Sequence, residues 1–319
     1  MQSESEENVS TQSQVAGLSN SKNGVGSARR RRLNGEALTA LVFILPSLIG
    51  FTVFYAVPAI RGLWISFTNW DLLRPAKFVG IENYVKLFQD KEFWNALSVT
   101  VYYVLLNIPL QTVLAMIIAV MMYRLTKSML IRALIILPWL MPPVVVGLIW
   151  LWLLDPNIGI VNVTLKALGL PMIAFLGLPQ WAMPSIAMIN IWEYVGYTAL
   201  LIFAGLQSIP GAVYEAASID GASESQTFWK VTVPLLRPVL VFVIVTSVIG
   251  SFQIFDTIAI TTKGGPVNAT KVLNWYIYEQ AFSRFNMGYA TTISIILFAI
   301  LIFVSMVQMR IMRAGESDM

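Results

Sequence analysis

Six apolar stretches, each long enough to cross a lipid bilayer, constrain this chain more than any other feature. They lie near 37–60, 96–122, 133–154, 184–206, 238–260 and 289–309, and each is free or nearly free of charge. A hydrocarbon core is crossed by about 20 helical residues. Continuous apolarity lacks the period-two alternation of a membrane barrel, and in lipid each backbone amide needs a partner within its own segment. The expected fold is therefore all-α and polytopic, with six transmembrane helices in a domain over 33–313. Tails are expected at 1–32 and 314–319. Residues 1–28 are rich in Ser, Gln, Asn and Gly, which predicts disorder. The first apolar stretch is too long, and begins too far in, for a cleaved signal peptide.

Charge then orients the helices. Only 12% of the 319 residues are charged, about half the share of a soluble domain, and 57% are hydrophobic. Much of the net charge of +4 comes from Arg29, Arg30, Arg31 and Arg32, directly before the first stretch. Such a cluster marks the cytoplasmic side, so the amino terminus is expected inside, with Arg124, Lys127, Arg132, Lys230, Arg237, Arg310 and Arg313 on the same side. Basic residues between Arg61 and Lys91 make this bias modest. Cysteine and histidine are both absent, which excludes disulfides, most zinc or haem schemes and every catalytic triad that needs either residue. Prolines 109, 138, 142 and 143 fall inside the second and third stretches and suggest kinks or broken helices.

Between the fourth and fifth stretches runs a charged segment from Tyr214-Glu215-Ala216-Ala217 through Asp220-Gly221-Ala222, Gln226 and Phe228 to Pro234-Leu235. Ser208, Ile209 and Pro210 suit a capped helix start, and Val213, Ala216, Ala217 and Ala222 suit a narrow face that another protein could approach. Gly221 suits a sharp turn. In this order the residues resemble the signature loop of binding-protein-dependent ABC transporter permeases. The resemblance implies a cytoplasmic coupling helix that inserts into an ATPase subunit, with Tyr214, Glu215, Ala216, Ala217, Asp220, Gly221, Ala222, Phe228 and Pro234 as the coupling residues. Phe78-Val79-Gly80-Ile81-Glu82-Asn83-Tyr84, Leu137-Pro138-Trp139 with Pro142, and Thr262-Lys263-Gly264-Gly265-Pro266 with Thr270 are similar to the carbohydrate group of that family, which includes maltose and glycerol-phosphate importers. The match covers about residues 37–312. Lys263 departs from the small or polar residue common there.

A sugar path needs flat apolar faces for stacking and hydroxyl partners once water is stripped away. Trp139, Glu193, Tyr194, Tyr197, Ser247, Ser251, Gln253 and Asp256 are the candidates at membrane depth. Glu193 and Asp256 are expected to face the bundle interior or a water boundary, because a carboxylate in lipid costs about 3 kcal/mol. The resemblance further implies alternating access and docking of an extracytoplasmic solute-binding protein on the loop with Gly264, Gly265 and Pro266. It implies two ATPase subunits that hold ATP and Mg, no cofactor or metal in this chain, and a cytoplasmic (inner) membrane of a bacterium or archaeon. A second permease is implied, an unlike subunit or a copy of this chain. No G-x-x-x-x-G-K-[ST] phosphate loop occurs, so the chain is expected to be a transport subunit and not an enzyme. The aromatic run Trp275, Tyr276, Tyr278, Phe282, Phe285 suits an interfacial belt or docking surface. The competing reading is an ion- or proton-coupled secondary transporter that uses Glu193 or Asp256 as a relay. A membrane-embedded enzyme has less support, since no acid and base pair at useful spacing.

Overall fold

The computed structural model describes residues 38–125 and 128–313, without the side chains of 312 and 313. The four arginines at 29–32, Lys127 and both expected tails lie outside the described residues. Five helices are long and apolar enough to cross a membrane, and a sixth candidate is a bent pair. Among the described residues the isolated bridge between Thr68 and Phe78 is the sole β pairing. Apolar runs of this length leave helix as the way to satisfy their own amides, and that is the state they take.

Backbone contacts divide the chain between Gly62 and Leu63. Residues 38–62 are helical and form most of α1 (Leu38–Ile65), which is π-helical over Thr52–Ala56. Phe43, Phe54 and Ile60 on this helix are exposed, as expected of a surface solvated by lipid tails.

The second unit holds the remaining elements. Glu82–Gln89 forms α2 and Lys91–Leu125 forms α3, which stays continuous through Pro109. The kink expected in the second stretch therefore does not break it. The third stretch does break: α4 (Met129–Ile136) runs into a 3-10 turn at Leu137–Leu140, then the chain bends by 92° into α5 (Pro143–Leu153). Pro142 and Pro143 lie at that bend, where proline lacks the N–H a continuing helix needs. Ile160–Ala167 forms α6 and Pro179–Ser208 forms α7. The short helices α8 (Gly211–Ile219) and α9 (Glu224–Thr227) follow, then a π-helical turn at Phe228–Thr232 and one helical turn at Val233–Leu235, before α10 (Arg237–Phe252). The fifth span continues past a break as α11 (Asp256–Ile260). Finally Leu273–Tyr278 forms α12 and Met287–Arg313 forms α13.

Helix α7 packs along α3, and α10 packs on both. The core cluster at one end joins Phe93, Tyr103, Met183, Ile258, Tyr276, Tyr289 and Ile293. The other joins Ala115, Met122, Ile202, Phe203, Leu206 and Leu236 near α8. Close approach of α7 to α4 depends on Gly196, where a Cβ would sit 1.9 Å from the Ile135 carbonyl oxygen.

The Asn-Tyr string that follows α1 locks the adjoining loop. Buried Asn83 donates to the carbonyls of Ser66 at 2.9 Å and Thr68 at 2.8 Å, and the Tyr84 and Ser66 hydroxyls lie 2.8 Å apart. Thr292 on α13 donates to the same Ser66 carbonyl at 3.0 Å.

Candidate functional site

Between the two core clusters a cavity of about 230 Å³ opens among α3, α5, α7, α10 and the α10–α11 break. Glu193, Tyr194, Tyr197, Ser247, Ser251, Gln253 and Asp256 all line it. Trp139 does not. From the 3-10 turn beside α4 it stacks on Tyr197 instead, with ring centroids 4.5 Å apart and planes 12° from parallel. Tyr197 thus meets the cavity while Trp139 backs its ring.

Six polar residues of the lining were missed in the sequence: Asn107, Gln111, Asn190, Thr198, Thr246 and Thr257. Asn107 and Gln111 sit one turn apart on α3, a spacing that places both on one face. Asn107 donates to Ser251 on α10 at 3.2 Å and to Gln111 at 3.2 Å, and Gln111 donates to Thr198 on α7 at 2.9 Å. Three spans are thereby joined by one polar relay at membrane depth. Asn190 donates to Thr257 at 3.2 Å and ties α7 to α11. The spacing of Asn107 and Gln111 within an otherwise apolar stretch was the available signal.

The cavity also explains the break in the fifth span. Gln253, Ile254 and Phe255 are unwound, and all three line the cavity. No proline marks the site. Non-helical backbone at membrane depth persists where it lines a cavity and its polar groups find partners. Here Asn274 donates to the Gln253 carbonyl at 2.7 Å.

Glu193 is 2% exposed, so it faces the bundle interior as the cost of a carboxylate in lipid requires. Neither Glu193 nor Asp256 enters an ion pair among the described residues.

At one end of the bundle the segment between α7 and α10 is held by its own caps. Helix α8 ends in a Schellman arrangement: Ala222 N–H donates to Ala217 O at 3.0 Å and Gly221 N–H to Ser218 O at 3.1 Å. Gly221 adopts φ +74°, and a Cβ there would meet nothing within 4 Å. The need for glycine is thus conformational, not steric crowding. Ser223 and Gln226 form a reciprocal capping box that starts α9. Ser208 caps nothing; its hydroxyl donates back to the Gly205 carbonyl, and Pro210 precedes α8 without a side-chain cap.

The outward face of α8 also differs from the expected one. Val213, Tyr214 and Ala217 turn toward the protein, with Tyr214 packed on the core beside Leu206 and Leu236. Ala212, Glu215, Ala216, Ile219 and Asp220 are exposed, a helical stripe in which Ile219 is 85% exposed. Ala222 and Phe228 are half-buried, and Pro234 is exposed. Arg124 at the end of α3 pairs with Glu224 at 2.8 Å, which anchors α9 to that end of the bundle.

At the opposite end four charges close a ring. Lys271 meets Glu92 at 3.1 Å and Glu279 at 2.8 Å, while Arg284 meets Glu92 at 2.9 Å and Glu279 at 2.8 Å. Burial pushes the Glu279 carboxyl up, but Lys271 and Arg284 outweigh it and hold the group below its ordinary range. Beside this ring Asp90 accepts hydrogen bonds from the Tyr276 and Tyr289 hydroxyls. The loop with the Gly-Gly-Pro motif lies at this end. Gly264 is buried with Trp275 against it, Gly265 and Pro266 are half-buried, and Lys263, Val267 and Asn268 are exposed. The aromatic run divides: Tyr276 is buried on Asp90, whereas Trp275, Tyr278 and Phe282 join a ring cluster with Phe255.

A polar cavity at the depth of the spans, with an exposed helix at one end, suits a membrane transport subunit. Residues 111–315 match the family model described as the binding-protein-dependent transport system inner membrane component. The chain belongs to this family of ABC transporter permeases. It is 34% identical over 286 residues to the sulfoquinovosyl glycerol transport system permease protein of Agrobacterium fabrum, covering 88% of this chain and 92% of the relative. It is 33% identical over 283 residues to the trehalose/maltose transport system permease protein of Thermococcus litoralis, covering 87% and 95%. Its fold is similar to a chain of a bacterial ABC transporter involved in the import of the acidic polysaccharide alginate, with a TM-score of 0.78 at 24% identity over 88% of this chain and 96% of that one. The ion-coupled alternative finds no support in these likenesses.

Proposed function

We propose that the chain forms half of the path of an ATP-driven sugar importer and passes its cargo by alternating access. The stacked Trp139–Tyr197 pair beside a relay of amide and hydroxyl groups carries this reading, because it combines the two surfaces a saccharide needs. Tyr197 offers a ring face for sugar C–H groups. Ser247, Ser251, Gln253 and Tyr194 offer partners to its hydroxyls. The trehalose/maltose relative favours a carbohydrate cargo.

ATP and Mg belong, in this reading, to two separate ATPase subunits, since the sequence has no phosphate loop. The exposed stripe of α8, centred on Ile219, is the surface on which such a subunit closes. A second permease supplies the other coupling helix, and an unlike subunit is the favoured partner. The family's description supports a binding-protein partner, and in this reading that protein docks at the end with the Gly264-Gly265-Pro266 loop, where Val267 and Asn268 are exposed. That end then faces outward, and the amino terminus lies inside.

The coupling half of the proposal is tested at Ile219. Ile219→Asp should leave the permease inserted while ATPase subunits no longer co-purify with it. Undiminished co-purification and uptake would remove α8 from the coupling role.

A further inference from the structure

The charge of the cavity narrows the cargo further, on the footing of the sugar reading above. Nineteen residues line the cavity; two are carboxylic acids and none is Lys or Arg. Histidine is absent from the chain, so no lining residue can become cationic. We propose that this chain's half of the path selects against anionic saccharides, with Glu193 and Asp256 as the residues that discriminate, and that the cargo is a neutral or amino sugar.

The argument is electrostatic and local. Glu193 is almost fully buried, where the low dielectric strengthens any charge that approaches it. A carboxylate, sulfonate or phosphate in a cavity of about 230 Å³ cannot move far from both acids. It would also lose its water without gaining a cation from this chain, the costliest combination for a buried ion. Protonation of either acid turns an acceptor into a donor but supplies no positive charge. None of the described bases lines the cavity, and five are held elsewhere: Lys271 and Arg284 in the ring with Glu92 and Glu279, Arg124 with Glu224, Arg132 over the Phe203 ring and Lys86 over the Tyr289 ring. A neutral saccharide meets the same wall differently, because a carboxyl group accepts hydrogen bonds from sugar hydroxyls when ionised and can also donate one when protonated. An ammonium group would gain a counter-charge.

The test uses the complete transporter with its binding protein in proteoliposomes. The solute that the binding protein retains on purification is identified by mass spectrometry, and a neutral or amino saccharide is expected. A uronate, sulfonate or sugar phosphate would overturn the inference and leave the sugar reading standing. A neutral solute that is not a saccharide would overturn the sugar reading and leave the charge inference standing. Uptake is then compared for that saccharide and for its derivative with one hydroxymethyl group oxidised to a carboxylate. Asp256→Asn and Glu193→Gln, each isosteric, should raise the ratio of oxidised to parent uptake at least tenfold over the unsubstituted transporter. The binding protein is common to both arms, so its own preference cancels in the ratio. An unchanged ratio in both variants would overturn the assignment.

Discussion

At the scale of single residues, two side chains carry consequences that can be measured separately. Tyr197 touches the cavity and stacks on Trp139, so Tyr197→Ala should lower uptake by about tenfold or more through loss of a stacking face worth about 1 kcal/mol beyond its area. Complex assembly, followed by co-purification, should be unchanged; loss of assembly would reassign the ring to packing. Asp90 concerns stability and not cargo. Burial pushes its carboxyl up, but the hydrogen bonds from Tyr276 and Tyr289 outweigh that and hold it below the ordinary 3.8. A depressed pKa stabilises the fold above the unfolded value and loses that contribution as pH falls through the folded one. The melting temperature should therefore decline as pH drops below about 4, and Asp90→Asn should lower the neutral value and flatten the acid dependence. A parallel acid slope in the variant would assign the effect to other carboxylates.

At the scale of elements, the turn after α8 depends on one left-handed residue. Gly221→Leu places a branched side chain at φ +74°, a cost of about 1–2 kcal/mol. Hydrogen exchange should quicken across 211–222 and leave α7 and α10 protected; Gly221→Asn should do so far less, because asparagine tolerates that conformation. Equal exchange in the two variants would deny the turn its backbone origin. The helices on either side of this segment and its turn were legible in the sequence because their signals are local, apolar length and a glycine at a turn, whereas the cap was expected at Ser208 and stands at Ser223 instead. The break at Gln253–Phe255 was not legible, since nothing in that tripeptide forbids helix and its stability depends on Asn274 from another element. Pro109 does not break its span, being accommodated within a continuous helix. The cavity was half legible. Tyr197 and the acids stand out in apolar runs, whereas the roles of Asn107 and Thr198 emerge only when three spans are brought together.

At the scale of the whole molecule, two ends of one bundle are expected on opposite sides of a membrane. Val267 is 89% exposed at one end and Ile219 85% exposed at the other, and the chain has no cysteine of its own. Single cysteines at these positions should label with a membrane-impermeant maleimide from opposite sides in intact cells and inverted vesicles. Labelling of both from the same side would overturn the topology. The ring of Lys271, Arg284, Glu92 and Glu279 bears on how such a body can move. It fastens the entry to α3, the lead into α12 and the turn before α13 to one another, with Lys271 nearly out of reach of water. That corner is expected to act as a pivot: when the path changes the side to which it opens, these three corners should travel together, and the swing should appear at the far tips of their helices.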